Sequence, residues 1–167
     1  QHFGSSGSDA RTAMEHAQLV CDTPGMYAVL AGDLVDSFVL QKYMKLRHNA
    51  PLGVIEEWSL VKFYLETIAP KLLAVLDGNH DHWMQILTGL PIMADFVAAT
   101  KRKVLYDAHE ILARVVVAGT EEWVLRVRHS WQGSSIYNPY HAIMRAAKFD
   151  RPFHIGVGAH DHKGAMT

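Results

Sequence analysis

Short apolar runs alternate with longer amphipathic segments through the first half of the chain. "MYAVLAGD" predicts a brief strand ending at Gly32, and "KLLAVLDGNHD" predicts another ending at Asp77. Between them, "PLGVIEEWSLVKFYLETIAP" spaces Leu52, Ile55, Trp58, Val61, Phe63 or Tyr64, and Ile68 at helical intervals, and Pro70 ends the run. Upstream, "DARTAMEHAQLVCDTPG" predicts a helix over about residues 9–21, with Asp9 as its N-cap and Pro24-Gly25 as the turn that follows. Strand, helix and strand in this order imply parallel strands joined by crossover helices.

The second half changes character. "ARVVVAG" and "EWVLRVRHS" are rich in β-formers and separated by "TE", which predicts a hairpin of residues 111–118 with 122–128. Its second strand alternates, with Trp123, Leu125 and Val127 inward, so that Arg126 and Arg128 fall on a solvated face. A helix follows Pro139 to about Lys148, and "PFHIGVGAHDH" closes with a strand ending near Gly158. No repeat, low-complexity tract or linker interrupts the pattern. Residues 1–167 therefore read as one domain.

Composition narrows the classes. Sixteen Lys and Arg stand against seventeen Asp and Glu, a formal charge of −1, which gives no compositional support for a surface that wraps DNA or coats a membrane. The single Cys21 excludes an internal disulfide and fits a reducing compartment. No apolar run approaches the roughly 20 residues of a spanning helix. A cytoplasmic protein, or a phage-encoded one acting in the host cytoplasm, is the expectation. Eleven histidines, several of them beside Asp, Asn or Gly, give the first hint of metal.

Each predicted strand that ends in a polar cluster ends in groups that can bind a cation. The clusters are "GDLVD" with Asp33 and Asp36, "GNHD" with Asn79, His80 and Asp81, "RHS" with His129, and "AHDH" with His160 and His162. In an α/β sheet the loops leaving the carboxyl ends of strands converge on one edge, where ligands bind. Taken singly, "GDLVD" also fits a turn with two solvated carboxylates, "GNHD" a Gly-Asn turn, and His129 a strand cap. His160 and His162, two apart, point the same way if their segment is extended. Carboxylate, amide and imidazole donors suit Mn, Fe or Zn and need no thiolate.

In this order the clusters resemble those of the calcineurin-like metallophosphoesterases. That family carries an Asp-x-His segment, then Gly-Asp-x-x-Asp, Gly-Asn-His-Asp/Glu, a lone histidine and Gly-His-x-His. Here Ala159 stands where the last glycine is usual. The resemblance aligns His2 with the first histidine and puts the accompanying aspartate one position before Gln1. It implies an α/β fold, an αββα sandwich with two central mixed sheets, whose first strand and C-terminal strands lie outside these residues. It also implies two divalent ions, Mn first, with Fe, Zn, Ni or Mg as alternatives. His2, Asp33 and His162 align with the ligands of one ion, and Asp33, Asn79, His129 and His160 with those of the other. Asp33 is then the bridge, each of its oxygens taking one ion. A water shared by two ions about 3.5–4 Å apart is acidified and attacks phosphorus. His80 aligns with a catalytic residue that serves the leaving oxygen, while Asp36 and Asp81 align with carboxylates that orient ligands. His82 has no family role.

The implied substrate is a phosphoester, and a phosphodiesterase or nuclease acting on DNA or nucleotides is the preferred expectation. Selection would come from Lys101 to Lys103, Arg126, Arg128, Trp131, Tyr137, Tyr140 and Arg145, although these residues also fit ordinary packing and solvation. A phosphomonoesterase or protein phosphatase is the alternative within the class. A degenerate metal-binding structural module is the alternative outside it. Metal content separates the last from the others. No membrane partner is implied, and the oligomeric state is open.

Overall fold

Asp9 opens the first helix as its position predicts. Its carboxylate accepts the Thr12 N–H at 3.1 Å, satisfying one of the donors that a first helical turn leaves unpaired. The computed structural model describes residues 1–117, 119, 121–133 and 135–160. Helix α1 spans Ala10–Asp22 and leads into strand β1, Ala28–Leu30. A 3-10 turn, Gln41–Tyr43, and the short helix α2, Met44–His48, come next. The amphipathic run folds as α3, Val54–Ile68, and strand β2 covers Leu72–Leu76. Helix α4, Asn79–Thr88, begins inside "GNHD", and α5, Ile92–Ala99, leads to strand β3, Leu105–Asp107. Strands β4, Glu110–Val117, and β5, Glu121–Arg128, form the expected hairpin. Helix α6, His141–Phe149, and strand β6, Ile155–Gly158, complete the order. No helix is long and apolar enough to cross a membrane among the described residues.

The architecture is mixed α/β with two three-stranded sheets. In the first, β1, β2 and β3 lie side by side and all pair in parallel. This corrects the expectation of two mixed sheets. Each link between these strands contains helices, and a crossover of that kind returns the chain in the same direction. Only the second sheet is mixed, because β5 pairs antiparallel with β4 and parallel with β6.

Alternation along the strands divides the interior in two. Leu30 of β1 and Val75 of β2 join Ala13, Ala17, Trp58, Val61, Leu65 and Ile68 under α1 and α3. Ala74 and Leu76 face the other way and meet Ile111 and Val127 of the hairpin. Of the two candidates for one place on the α3 stripe, Tyr64 is buried and Phe63 is 58% exposed, and Ile55 departs from the expected stripe at 80% exposed. Trp123 departs as well, at 41% exposed against 0% for Val127. Strand β2 has 5 residues and the hairpin strands have 8 each, so the first sheet covers only part of the hairpin.

Arg126 lies inside against expectation, and Glu57 is buried as well. Arg126 is buried, paired with Glu110 at 2.8 Å and Asp150 at 3.4 Å, and its guanidinium lies over the rings of Trp131 and Phe153. Its strand face is covered by the α6 layer rather than solvated. Trp131 donates its indole N–H to the Val157 carbonyl at 2.9 Å, so it packs the sheet. Glu57 is wholly buried on α3, where it accepts the Ser37 N–H at 2.9 Å and pairs with Arg47 of α2 at 2.5 Å. It thereby ties the segment after β1 to the helical layer. Replacing Glu57 by Ala orphans the Ser37 N–H and Arg47 together, and is expected to lower stability by about 3 kcal/mol in urea unfolding.

Candidate metal centre

The loops that follow β1 and β2 touch backbone to backbone. Gly32 has φ +88, and a side chain on it would strike the Gly78 backbone, while one on Gly78 would strike Asp33. Glycine at both positions permits the approach. Asp81 then clamps the two loops. As the third residue of α4 it accepts the Gly78 N–H at 2.9 Å with Oδ2, the back-bond of a capping box, while Oδ1 accepts the N–H groups of Leu34 at 2.9 Å and Val35 at 3.1 Å. Burial pushes its carboxyl up, against the pull of these three donors.

His2 arrives by the same kind of pairing. The His2 N–H donates to the Asp33 carbonyl at 2.8 Å and the Phe3 N–H to that of Leu34 at 2.7 Å, so residues 2–3 run alongside residues 33–35. Its ring presents Nδ1 to Asp36 at 3.3 Å and Nε2 to Asp33 Oδ2 at 3.4 Å. From the other sheet, His129 stands at the end of β5 and donates Nδ1–H to the Ala31 carbonyl at 2.7 Å. A carbonyl can only accept, so the proton is on Nδ1, and Nε2 of the neutral ring presents a lone pair. That nitrogen lies 3.0 Å from Asp33 Oδ2, 3.1 Å from Asn79 Oδ1 and 3.3 Å from His160 Nδ1. His160 is exposed at the end of β6.

The sequence-predicted residues His2, Asp33, Asn79, His129 and His160 therefore meet in one place. His162 lies outside the described residues. Two sets of donor atoms lie close enough to share a cation, Asp33 with His129 and His160, and His2 with Asp36 and His80. Two details differ from the expectation. Asp33 does not offer one oxygen to each side: Oδ1 accepts the His80 N–H at 3.0 Å, and Oδ2 alone faces both imidazoles. His160 has φ +69 and is not extended, so alternation along a strand does not set its direction. His2 at φ +49 and Asp33 at φ +52 share this left-handed backbone, which costs a non-glycine residue on the order of 1 kcal/mol and gathers at functional sites.

A lone pair set against a carboxylate oxygen needs positive charge between them, and this tests whether the site fits a cation. At His129 the charge is a proton or a metal ion. Burial lowers the imidazole of His129, but its hydrogen bonds to Asp33 and the Ala31 carbonyl outweigh this and raise it from its ordinary value. For Asp33, burial pushes upward, yet hydrogen bonds from His129 and the His80 N–H outweigh it and hold the carboxyl below its ordinary value. Burial raises Asp36, and the charge on His80 partly offsets it. The oxygen and nitrogen donors, with no sulfur among them, fit a hard or borderline divalent cation.

His80 sits one residue beyond Asn79, with Nδ1 against the Asp36 carbonyl. Its ring lies edge-on to His2 and 4.1 Å from that of Trp83. Sequence reasoning missed Glu57, whose only signal was a carboxylate at the spacing of an apolar stripe. It also missed the pair of Asp77 and Tyr106, which nothing local reveals.

Asp77 follows β2, buried, and accepts the Tyr106 hydroxyl at 2.8 Å with one oxygen. Burial pushes its carboxyl up to about 7, against that hydrogen bond. The folded state thus holds the proton more tightly than the unfolded state. The resulting stability is full below the unfolded value of about 4 and is lost as pH rises toward about 7. Measured against Asp77→Asn, the wild-type protein is expected to lose stability across that window, and parallel profiles would remove the assignment. No family model, no curated protein and no solved structure matches the chain.

Proposed function

We propose that this protein is a metal-dependent phosphoester hydrolase of the calcineurin-like type, acting on phosphodiesters. The observation that carries the reading is the facing of two imidazole nitrogens, from chain segments far apart, onto the single oxygen Asp33 Oδ2. Asn79 and His160 complete the set around His129. The layering of helices, a sheet, a second sheet and a further helix supports the αββα arrangement. His2 and Asp33 would hold one ion, and the resemblance adds His162 to that set. Asp33, Asn79, His129 and His160 would hold the other, with Asp33 common to both sets and Mn the first candidate. When bound, two such ions supply an acidified water and offset charge on the phosphoryl oxygens.

The chain's own residues do the rest. Asp36 takes the Nδ1 side of His2 and turns its Nε2 toward Asp33. The Ala31 carbonyl does the same for His129. His80 keeps Nδ1–H on the Asp36 carbonyl, so Nε2 is the atom left to carry a proton to the leaving oxygen.

The decisive test is hydrolysis of bis-p-nitrophenyl phosphate against p-nitrophenyl phosphate with Mn²⁺, alongside metal content. A diester preference with bound metal is expected; a monoester preference would move the protein to the phosphomonoesterases, and absence of bound metal would leave a structural module. Asp33→Asn is expected to abolish turnover and deplete both ions, and full activity with two ions retained would refute the shared-carboxylate assignment. His80→Asn should keep its metal but slow turnover by about 10²–10⁴-fold, most for poor leaving groups. Loss of metal in that variant would make His80 a ligand instead.

A further inference from the structure

Beside His80 stands a group of rings that the metal centre does not use. Trp83, on the first turns of α4, lies 4.1 Å from His80 by ring centre. Tyr43 stacks on Trp83 at 5.0 Å with the planes 30° apart. Phe38 closes the corner, 5.7 Å from Tyr43, 5.2 Å from His80 and 6.1 Å from Trp83. All three rings keep part of their surface in water. They come from three separate segments, and the Arg47–Glu57 ion pair holds the segment carrying Tyr43 against α3.

The rim of this cluster is cationic. Lys42 Nζ lies 4.7 Å over the Tyr43 ring, and Lys45 is exposed one helical turn away. Among the described residues neither lysine pairs with a carboxylate. Part-exposed aromatic rings beside lysines without a carboxylate partner are what an unpaired nucleotide strand requires, since every base has a face to stack and every link carries a negative charge. A closed apolar core would leave neither rings partly open to water nor lysines without a carboxylate partner.

We infer that Phe38, Tyr43 and Trp83, with Lys42 and Lys45, form a subsite for a nucleoside of a single-stranded nucleic acid, its base on the rings and its flanking phosphate at the lysines. This inference rests on the phosphodiesterase reading and specifies its substrate class. Tyr43 is the residue to vary, because Trp83 also supports His80. Two diesters with the same leaving group, thymidine 5′-(p-nitrophenyl phosphate) and methyl p-nitrophenyl phosphate, isolate the contribution of the nucleoside. In Tyr43→Leu the ratio of kcat/KM for the nucleoside ester to that for the methyl ester is expected to fall about 10-fold, and Tyr43→Phe should restore it. An unchanged ratio overturns the subsite, as does an equal loss on both esters.

Binding without turnover makes the two readings separable. In EDTA, fluorescence anisotropy of a labelled oligothymidylate should show affinity about 10-fold weaker for Tyr43→Leu than for Tyr43→Phe, and a shallower salt dependence for the double variant Lys42→Ala, Lys45→Ala. If neither ester is cleaved but this pattern appears, the hydrolase reading fails and the subsite stands. Cleavage of both esters with no effect of Tyr43 in either measurement removes the subsite alone. Duplex DNA bound as tightly as the single strand also removes it, since paired bases cannot stack on these rings.

Discussion

The candidate site depends on the contact between the turn at Gly32 and the turn at Gly78. At that point two peptide backbones approach more closely than any Cβ allows, and the carboxylate of Asp81 satisfies donors on both sides. The contact fixes Asp33 at the start of one loop against Asn79 and His80 at the start of the other. Three charge-assisted hydrogen bonds to one buried carboxylate hold a geometry that two flexible loops would otherwise lose to entropy.

Two of the candidate ligands are then oriented by neighbouring groups. The Ala31 carbonyl accepts and cannot donate, which settles the tautomer of His129, and Asp36 receives the Nδ1 side of His2. Two imidazoles thereby turn toward the same carboxylate oxygen. Contact with the Asp33 carboxylate and the Ala31 carbonyl raises the imidazole of His129, and hydrogen bonds from His129 and the His80 N–H hold Asp33 in place. The same mutual proximity that invites a cation therefore also keeps the residues assembled.

Buried charge elsewhere serves a different purpose. Glu57 joins Ser37 and Arg47, and Arg126 joins Glu110 and Asp150 beneath two aromatic rings. The Glu57 set borders the candidate site, since Ser37 follows Asp36 and the charges of Glu57 and Arg47 both act on the Asp36 carboxyl. The placement of both sets is consistent with holding loop segments and the hairpin in register. Arg126, which alternation assigns to solvent, shows how a helix laid on the outer face of a sheet inverts that assignment without altering the strand itself.

By itself the sequence determined α1, β1, α3, β2, the hairpin, α6 and β6 in their order, the N-cap at Asp9, and the appearance of Asp33, Asn79, His129 and His160 at the ends of β-rich runs. Those features are local, because periodicity and turn chemistry report how a residue lies on its own element. Tertiary structure alone decided that Asp33 meets both imidazoles through one oxygen, that Tyr64 and not Phe63 is buried, and that Trp83, Tyr43 and Phe38 gather beside His80. Helices α4 and α5 also escaped the pattern, since "GNHD" reads as a turn until Asp81 caps it from within. The physical reason is common to all of these: which atom faces which depends on a second element, and one strand or helix carries no record of its neighbour.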